Sequence, residues 1–183
     1  ILGAAEPSHE ADAALAALAQ SIELPPPLKD AGRLIDRPDV RTWGNSGPPG
    51  SYAELDDGTI WLGKATRYSV TRKGQNRWDV ATSIPLKDGI AAGDKLLIAI
   101  AAKTVSATTA DGRALVGVRV QSSDPPYDGF ADHLFAVGPN WQLIRVQTTA
   151  TQAIADGKAT VALQFAEAPQ VVDIGPVYVF KTQ

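Results

Sequence analysis

Between Ile35 and Phe180 the chain is a succession of short apolar runs with no convincing helical repeat among them. "IWLGKATRYSV", "RWDVATSI", "DKLLIAIAAKTVSA", "RALVGVRVQ", "WQLIRVQTTAT", "ATVALQF" and "VVDIGPVYVF" are each rich in β-branched or aromatic residues. Between them stand "KDGIAAGD", "ADGR", "SSDPPYDG" and "ADGK", whose Gly, Pro and Asp residues set turns. Many short strands without intervening helices exclude βαβ units. They predict an antiparallel sandwich or barrel. "GNSGPPGSYAELDDG" reads as a loop region.

Period-2 alternation then assigns each strand a core face. The inward set is Leu96, Ile98 and Ile100; Val116, Val118 and Val120; Ile144 and Val146; Val161, Leu163 and Phe165; Val177 and Val179. The opposite positions carry Lys103, Arg119, Gln121, Arg145, Gln147, Gln164 and Tyr178, with Ala99, Ala101, Gly117 and Ala162 among them. Alternation alone admits two readings of that second face. It is a sheet surface facing water, where Gln and Arg are normal, or a flat polar surface suited to sugar hydroxyls. Trp78 and Trp141 each open a strand with apolar alternate positions, and so are expected to be structural.

The first residues differ. "SHEADAALAALAQSIE", residues 8–23, has a Ser N-cap, acids in its first turn and an apolar stripe of Leu15, Leu18 and Ile22. It predicts a helix, ended by "LPPPL". The expected organisation is a helical arm and Pro-rich linker over 1–28, peripheral to a β-domain over 29–183. The chain contains no methionine, as expected of a processed protein or a piece of a longer one. "ILGAAEP" fits the remnant of an export signal, and equally an arbitrary boundary.

Chemistry is sparse. Cysteine is absent, which excludes disulfides, thiolate metal sites and cysteine nucleophiles. A net charge of −3 gives no basis for binding nucleic acid, and no run is long and apolar enough to cross a bilayer. The two histidines, His9 and His133, have no partner motif, and "GNSGP" around Ser46 lacks the second glycine of a nucleophile elbow. Glu54, Asp128 and Glu167 cannot be promoted to a glycosidase pair by residue type alone. Asp56, Asp57, Asp88 and Asp111 fall in turns. No catalytic constellation emerges. A structural calcium site is conceivable from Asp36, Asp39 and Asp173, although a proline turn and strand alternation account for the same residues.

The order of segments carries a resemblance. Trp78-Asp79, Gly93-Asp94 before a long apolar strand, Pro125-Pro126-Tyr127, Val137-Gly138 with Trp141, and Gln170 through Gly175 follow one another over roughly residues 60–180. This succession resembles the jelly-roll, galactose-binding-like modules that precede the catalytic barrel in some bacterial family 10 xylanases. It is more distantly similar to family 4, 9 and 22 carbohydrate-binding modules. The resemblance implies an all-β, two-sheet antiparallel jelly roll and a non-catalytic, polysaccharide-binding role, with xylan as the expected glycan. It implies a catalytic domain of the same parent enzyme as partner and a secreted or periplasmic location. A sandwich that only supports that catalytic domain is the alternative.

If the module binds glycan, Arg119, Gln121 and Gln164 are expected to supply hydrogen bonds from the polar face. Tyr178 is expected to stack on that same face, and Tyr127 to add an aromatic edge from the "DPPYDG" loop. An acidic substituent would engage Arg119 or Arg145. Gln170 and Asp173, by contrast, fall where the chain turns back into the sheet, and read as architecture.

Overall fold

A computed structural model describes residues 24–182. The chain divides into two compact units, residues 1–31 and 32–183. In the first, a 3-10 turn at Pro26–Leu28 is the regular element among the described residues. The helix expected over 8–23 lies outside the described residues.

The second unit holds eleven strands: β1 (Arg33–Leu34), β2 (Gly44–Ser46), β3 (Tyr52–Asp56), β4 (Lys64–Val70), β5 (Ala81–Pro85), β6 (Lys95–Ala107), β7 (Ala114–Ser122), β8 (Gly129–Val137), β9 (Gln142–Thr149), β10 (Ala159–Gln164) and β11 (Gln170–Thr182). One sheet has the order β3-β4-β11-β6-β9, with β1 also pairing to β11. The other has the order β2-β5-β10-β7-β8. Every pairing is antiparallel, and non-consecutive neighbours in both sheets mean that the chain repeatedly crosses from one sheet to the other. The fold is an all-β two-sheet sandwich.

Its core lies where alternation places it. Ile98, Ile100, Val116, Val118, Val120, Val161, Leu163, Phe165, Val177 and Val179 are fully buried in one cluster between the sheets. Each such side chain stabilises the fold by about 1.5–3 kcal/mol on transfer from water. Ile144 and Val146 only pack against its margin, because β9 is an edge strand. Tyr68 stacks on Phe165 at 3.9 Å between ring centres, and its hydroxyl donates to Asn45 Oδ1 at 2.6 Å. An aromatic hydroxyl buried this deeply needs such an acceptor.

The polar second face divides into two. Arg119, Gln121 and Gln164 sit on β7 and β10 of the five-stranded sheet, whereas Lys103, Arg145, Gln147 and Tyr178 sit on β6, β9 and β11 of the other. Alternation shows which way a side chain points from its strand, not which sheet the strand joins. Tyr178 therefore does not share a face with Arg119, and it is fully buried.

The three aspartates considered for calcium are apart. Asp173 is buried and accepts from Arg67 Nε and Nη2 at 2.8 and 3.0 Å, with Lys103 Nζ at 4.0 Å. Asp39 caps a 3-10 turn and pairs with Arg41. Asp36 accepts from Val179 N at 2.9 Å, six residues along β11 from Asp173, or about 20 Å of strand. Among the described residues no group of three or more His, Asp or Glu side chains gathers as a metal site.

Asp36 has its own consequence. It is fully buried, and its Oδ2 has no hydrogen-bond partner. Burial pushes its carboxyl well above the usual range, outweighing Val179 N–H and the Lys87 charge, which pull it down. A raised folded-state pKa means that stability falls as pH rises from the unfolded carboxyl range towards the folded one. Asp36→Asn keeps the acceptor for Val179 and removes the titration. Thermal unfolding from acid to neutral pH should show the variant gaining on the parent as pH rises, and a constant difference would refute this linkage.

Candidate functional site

The outer face of the five-stranded sheet carries two cross-strand rows. Ser46 pairs with Ala81, Ala81 with Gln164, and Gln164 with Gly117; beside them Gly44 pairs with Ser83, Ser83 with Ala162, and Ala162 with Arg119. Most of these side chains are small, so the floor is low. Gln164 and Arg119 rise from it as diagonal neighbours on adjacent strands.

Walls stand on either side. One is the 3-10 turn Arg77–Asp79. Asp79 accepts from Asn76 N at 3.1 Å, and Ala166 N and Phe165 N donate to the carbonyls of Arg77 and Val80 at 2.9 and 2.8 Å. The turn is thus fastened to the end of β10, and it holds Trp78 out with 58% of its surface exposed. The other wall is the loop of Pro126 and Tyr127. Tyr127 N donates to Asp124 O at 2.8 Å, and Ser122 N and Ser123 N donate to Asp128 O and Lys158 O at 2.8 Å each. Tyr127 is held at φ +61°, a left-handed conformation that a tyrosine rarely adopts, with 46% of its surface exposed.

Together these residues line a groove of about 520 Å³ that takes in Ser46, Ala81, Ser83, Ala162, Gln164, Arg119, Gln121, Arg77, Trp78, Tyr127 and Asp132. The lining draws on all five strands of the sheet. The groove therefore runs across the strands from edge to edge, about 19 Å at the usual strand spacing.

Two local devices shape it. At Gly117 an added Cβ would stand 2.8 Å from Arg77 Cδ and 3.1 Å from Gln164 Oε1. Glycine there lets the Arg77 side chain lie flat over β7, where its Nη1 donates to Asp132 Oδ1 at 3.2 Å. Between β7 and β8 the register slips: Val118 pairs with His133 and Val120 with Phe130. Ala131, at φ +61°, and Asp132 together oppose Arg119. Such a bulge re-aims side chains, here turning Asp132 to the groove.

Four of the five expected contact residues meet here: Arg119, Gln121, Gln164 and Tyr127. Tyr178 does not, for the reason given above. Arg145 is likewise on the other sheet, so Arg119 is the only one of the two arginines named for an acidic substituent that faces the groove. Trp78 reverses its expectation: the strand begins only at Ala81, so its ring escapes the alternation and becomes a wall. Trp141 is half-buried on the six-stranded sheet. Its Nε1 donates to Asp57 Oδ2 at 2.9 Å, Lys103 Nζ lies 5.3 Å from its ring centre, and Gly175 leaves space beneath it.

No family model matches the chain, and no curated protein matches it in sequence. Solved structures do. The second N-terminal cellulose-binding domain of a Cellulomonas fimi β-1,4-glucanase is 13% identical with a TM-score of 0.58, over 88% of this chain and 95% of that one. A xylan-binding domain of the CBM22 type from Paenibacillus barcinonensis is 12% identical with a TM-score of 0.53, over 83% of this chain and 96% of that one. The fold is the jelly roll of carbohydrate-binding modules. The same jelly roll recurs in a Clostridium thermocellum endo-1,4-beta-D-xylanase, in a structure of its CBM22 and catalytic modules complexed with xylohexaose. That match is 12% identical with a TM-score of 0.55, covering 82% of this chain but 28% of that one.

Proposed function

We propose that this jelly roll is a non-catalytic carbohydrate-binding module that holds one polysaccharide chain in the groove of its five-stranded sheet. The observation that carries the reading is the pairing of two exposed aromatic rings, Trp78 and Tyr127, with a polar floor of Arg119, Gln121 and Gln164 in one groove crossing the whole sheet. Aromatic faces take the C–H faces of sugar rings, and amides and guanidiniums take their hydroxyls. An edge-to-edge groove suits a linear polymer better than a small molecule, which is held by burial on most sides.

Xylan is the proposed glycan. The support is the sequence resemblance to modules of family 10 xylanases, joined by the shared jelly roll. On the same reading the module is the accessory part of a secreted or periplasmic glycoside hydrolase and is covalently joined to its catalytic domain.

Affinity electrophoresis of residues 1–183 in gels containing xylan, β-glucan or mannan tests this directly. Retardation is expected in xylan. Retardation in β-glucan or mannan alone would retain the module and refute the glycan, whereas free migration in all three would leave a supporting sandwich without a ligand.

A further inference from the structure

We propose that the groove selects polysaccharides bearing uronate sugars, with Arg119 receiving the carboxylate; this rests on the groove being the glycan site. The lining contains two guanidiniums, Arg77 and Arg119, and one carboxylate, Asp132. Asp132 is engaged by Arg77. Arg119 has no carboxylate among the ion pairs of the described residues, and its Nε is buried without any hydrogen-bond partner. Nε is closed to an incoming group, but a guanidinium to which the described residues offer no acceptor still calls for an explanation through its terminal nitrogens.

The surroundings supply one. Gly117 and Arg119 are two residues apart on the same face of β7, so the guanidinium lying over Gly117 and that of Arg119 rise within about 7 Å of strand. Two like charges set so near one another carry one positive charge beyond what Asp132 balances, in a chain whose net charge is −3. That local excess opposes the sign of the whole protein. The bulge at Ala131–Asp132 turns the only acid of the lining towards Arg77, leaving the fork of Arg119 for a planar, two-oxygen anion. A carboxylate on a sugar fits that fork, while the flanking rings of Trp78 and Tyr127 hold the polymer that bears it.

The test is isothermal titration with a uronate-bearing xylo-oligosaccharide and with the same oligosaccharide after its carboxyl is reduced to the alcohol. The acid form is expected to bind about tenfold more tightly, the order contributed by a hydrogen bond to a charged group. Added salt should narrow that ratio, and Arg119→Gln should bring it to one. Arg119→Lys keeps the charge without the fork, and should retain only part of the preference. Equal affinity of the parent for the two forms overturns the proposal while leaving the groove reading intact. So does a tenfold preference that survives in both folded variants. Binding of neither form overturns the uronate preference and the xylan assignment together, and the groove reading falls with them only where β-glucan and mannan gels also fail to retard the module.

Discussion

Trp78→Ala is expected to weaken glycan binding at least tenfold, towards thirtyfold, while leaving the thermal unfolding midpoint almost unchanged. Anchor aromatics at binding sites commonly cost about 2 kcal/mol or more on truncation, and each 1.4 kcal/mol is about a factor of ten. The folding cost is small because 58% of the Trp78 surface is already in solvent, and substitutions at exposed positions usually shift stability by about 0.5 kcal/mol or less. The turn that presents the ring is fastened through its backbone, by the bonds to Phe165 N and Ala166 N, so it does not depend on the indole. Tyr127→Ala should behave alike with a smaller loss, since a phenol ring offers less area than an indole. Titration of the parent glycan against both variants, beside their melting curves, checks this. A Trp78→Ala protein that binds normally would remove one wall from the site. One that loses several kcal/mol of stability would return Trp78 to the role that alternation suggests for it.

That reversal shows what the sequence can and cannot carry. Inward positions on β6, β7, β10 and β11 are legible because a buried strand face imposes a strict period of two. Arg119 and Gln121 are legible as one surface for the same reason, both lying on β7, whereas Gln164 joins them only because β10 is the ladder neighbour of β7, which alternation does not show. Assignment of strands to sheets is a long-range property, and the crossovers that decide it leave no periodic trace. Tyr178 and Arg145 therefore share a polarity class with Arg119 but not a face. The strand β8 hides behind its own bulge: Ala131 and Asp132 break the alternation that would have marked "GFADHLF" as a strand. The short edge strands β2 and β3 lie within a Gly/Pro-rich stretch, and their pairing depends on partners far along the chain. Arg77 and Gly117 joined the site for a reason visible only in three dimensions, the side chain of one needing the missing Cβ of the other.

Gln170→Leu is expected to destabilise the fold by about 3 kcal/mol. Strand β10 ends at Gln164, opposite Gly117, so the ladder on that side of β7 stops two residues short of Leu115. Gln170 replaces the missing peptide. Its Oε1 accepts from Leu115 N at 2.8 Å and its Nε2 donates to Leu115 O at 2.6 Å, as a neighbouring strand would. The same Nε2 donates to Phe165 O at 2.8 Å. Gln170 belongs to β11 of the six-stranded sheet, so this amide also ties the two sheets together at one end of the sandwich. Leucine has a similar volume and recovers about 2 kcal/mol from apolar burial. Against that stand three backbone groups left without partners at about 1–3 kcal/mol each, and the polar loss wins. For a domain of this size the melting temperature should fall by roughly 10 °C. Urea unfolding should show a lower midpoint with an unchanged slope, the mark of lost native-state bonds rather than an altered unfolded chain. An unchanged midpoint would mean that water or a local shift satisfies Leu115 and Phe165, and that the amide is dispensable to the junction.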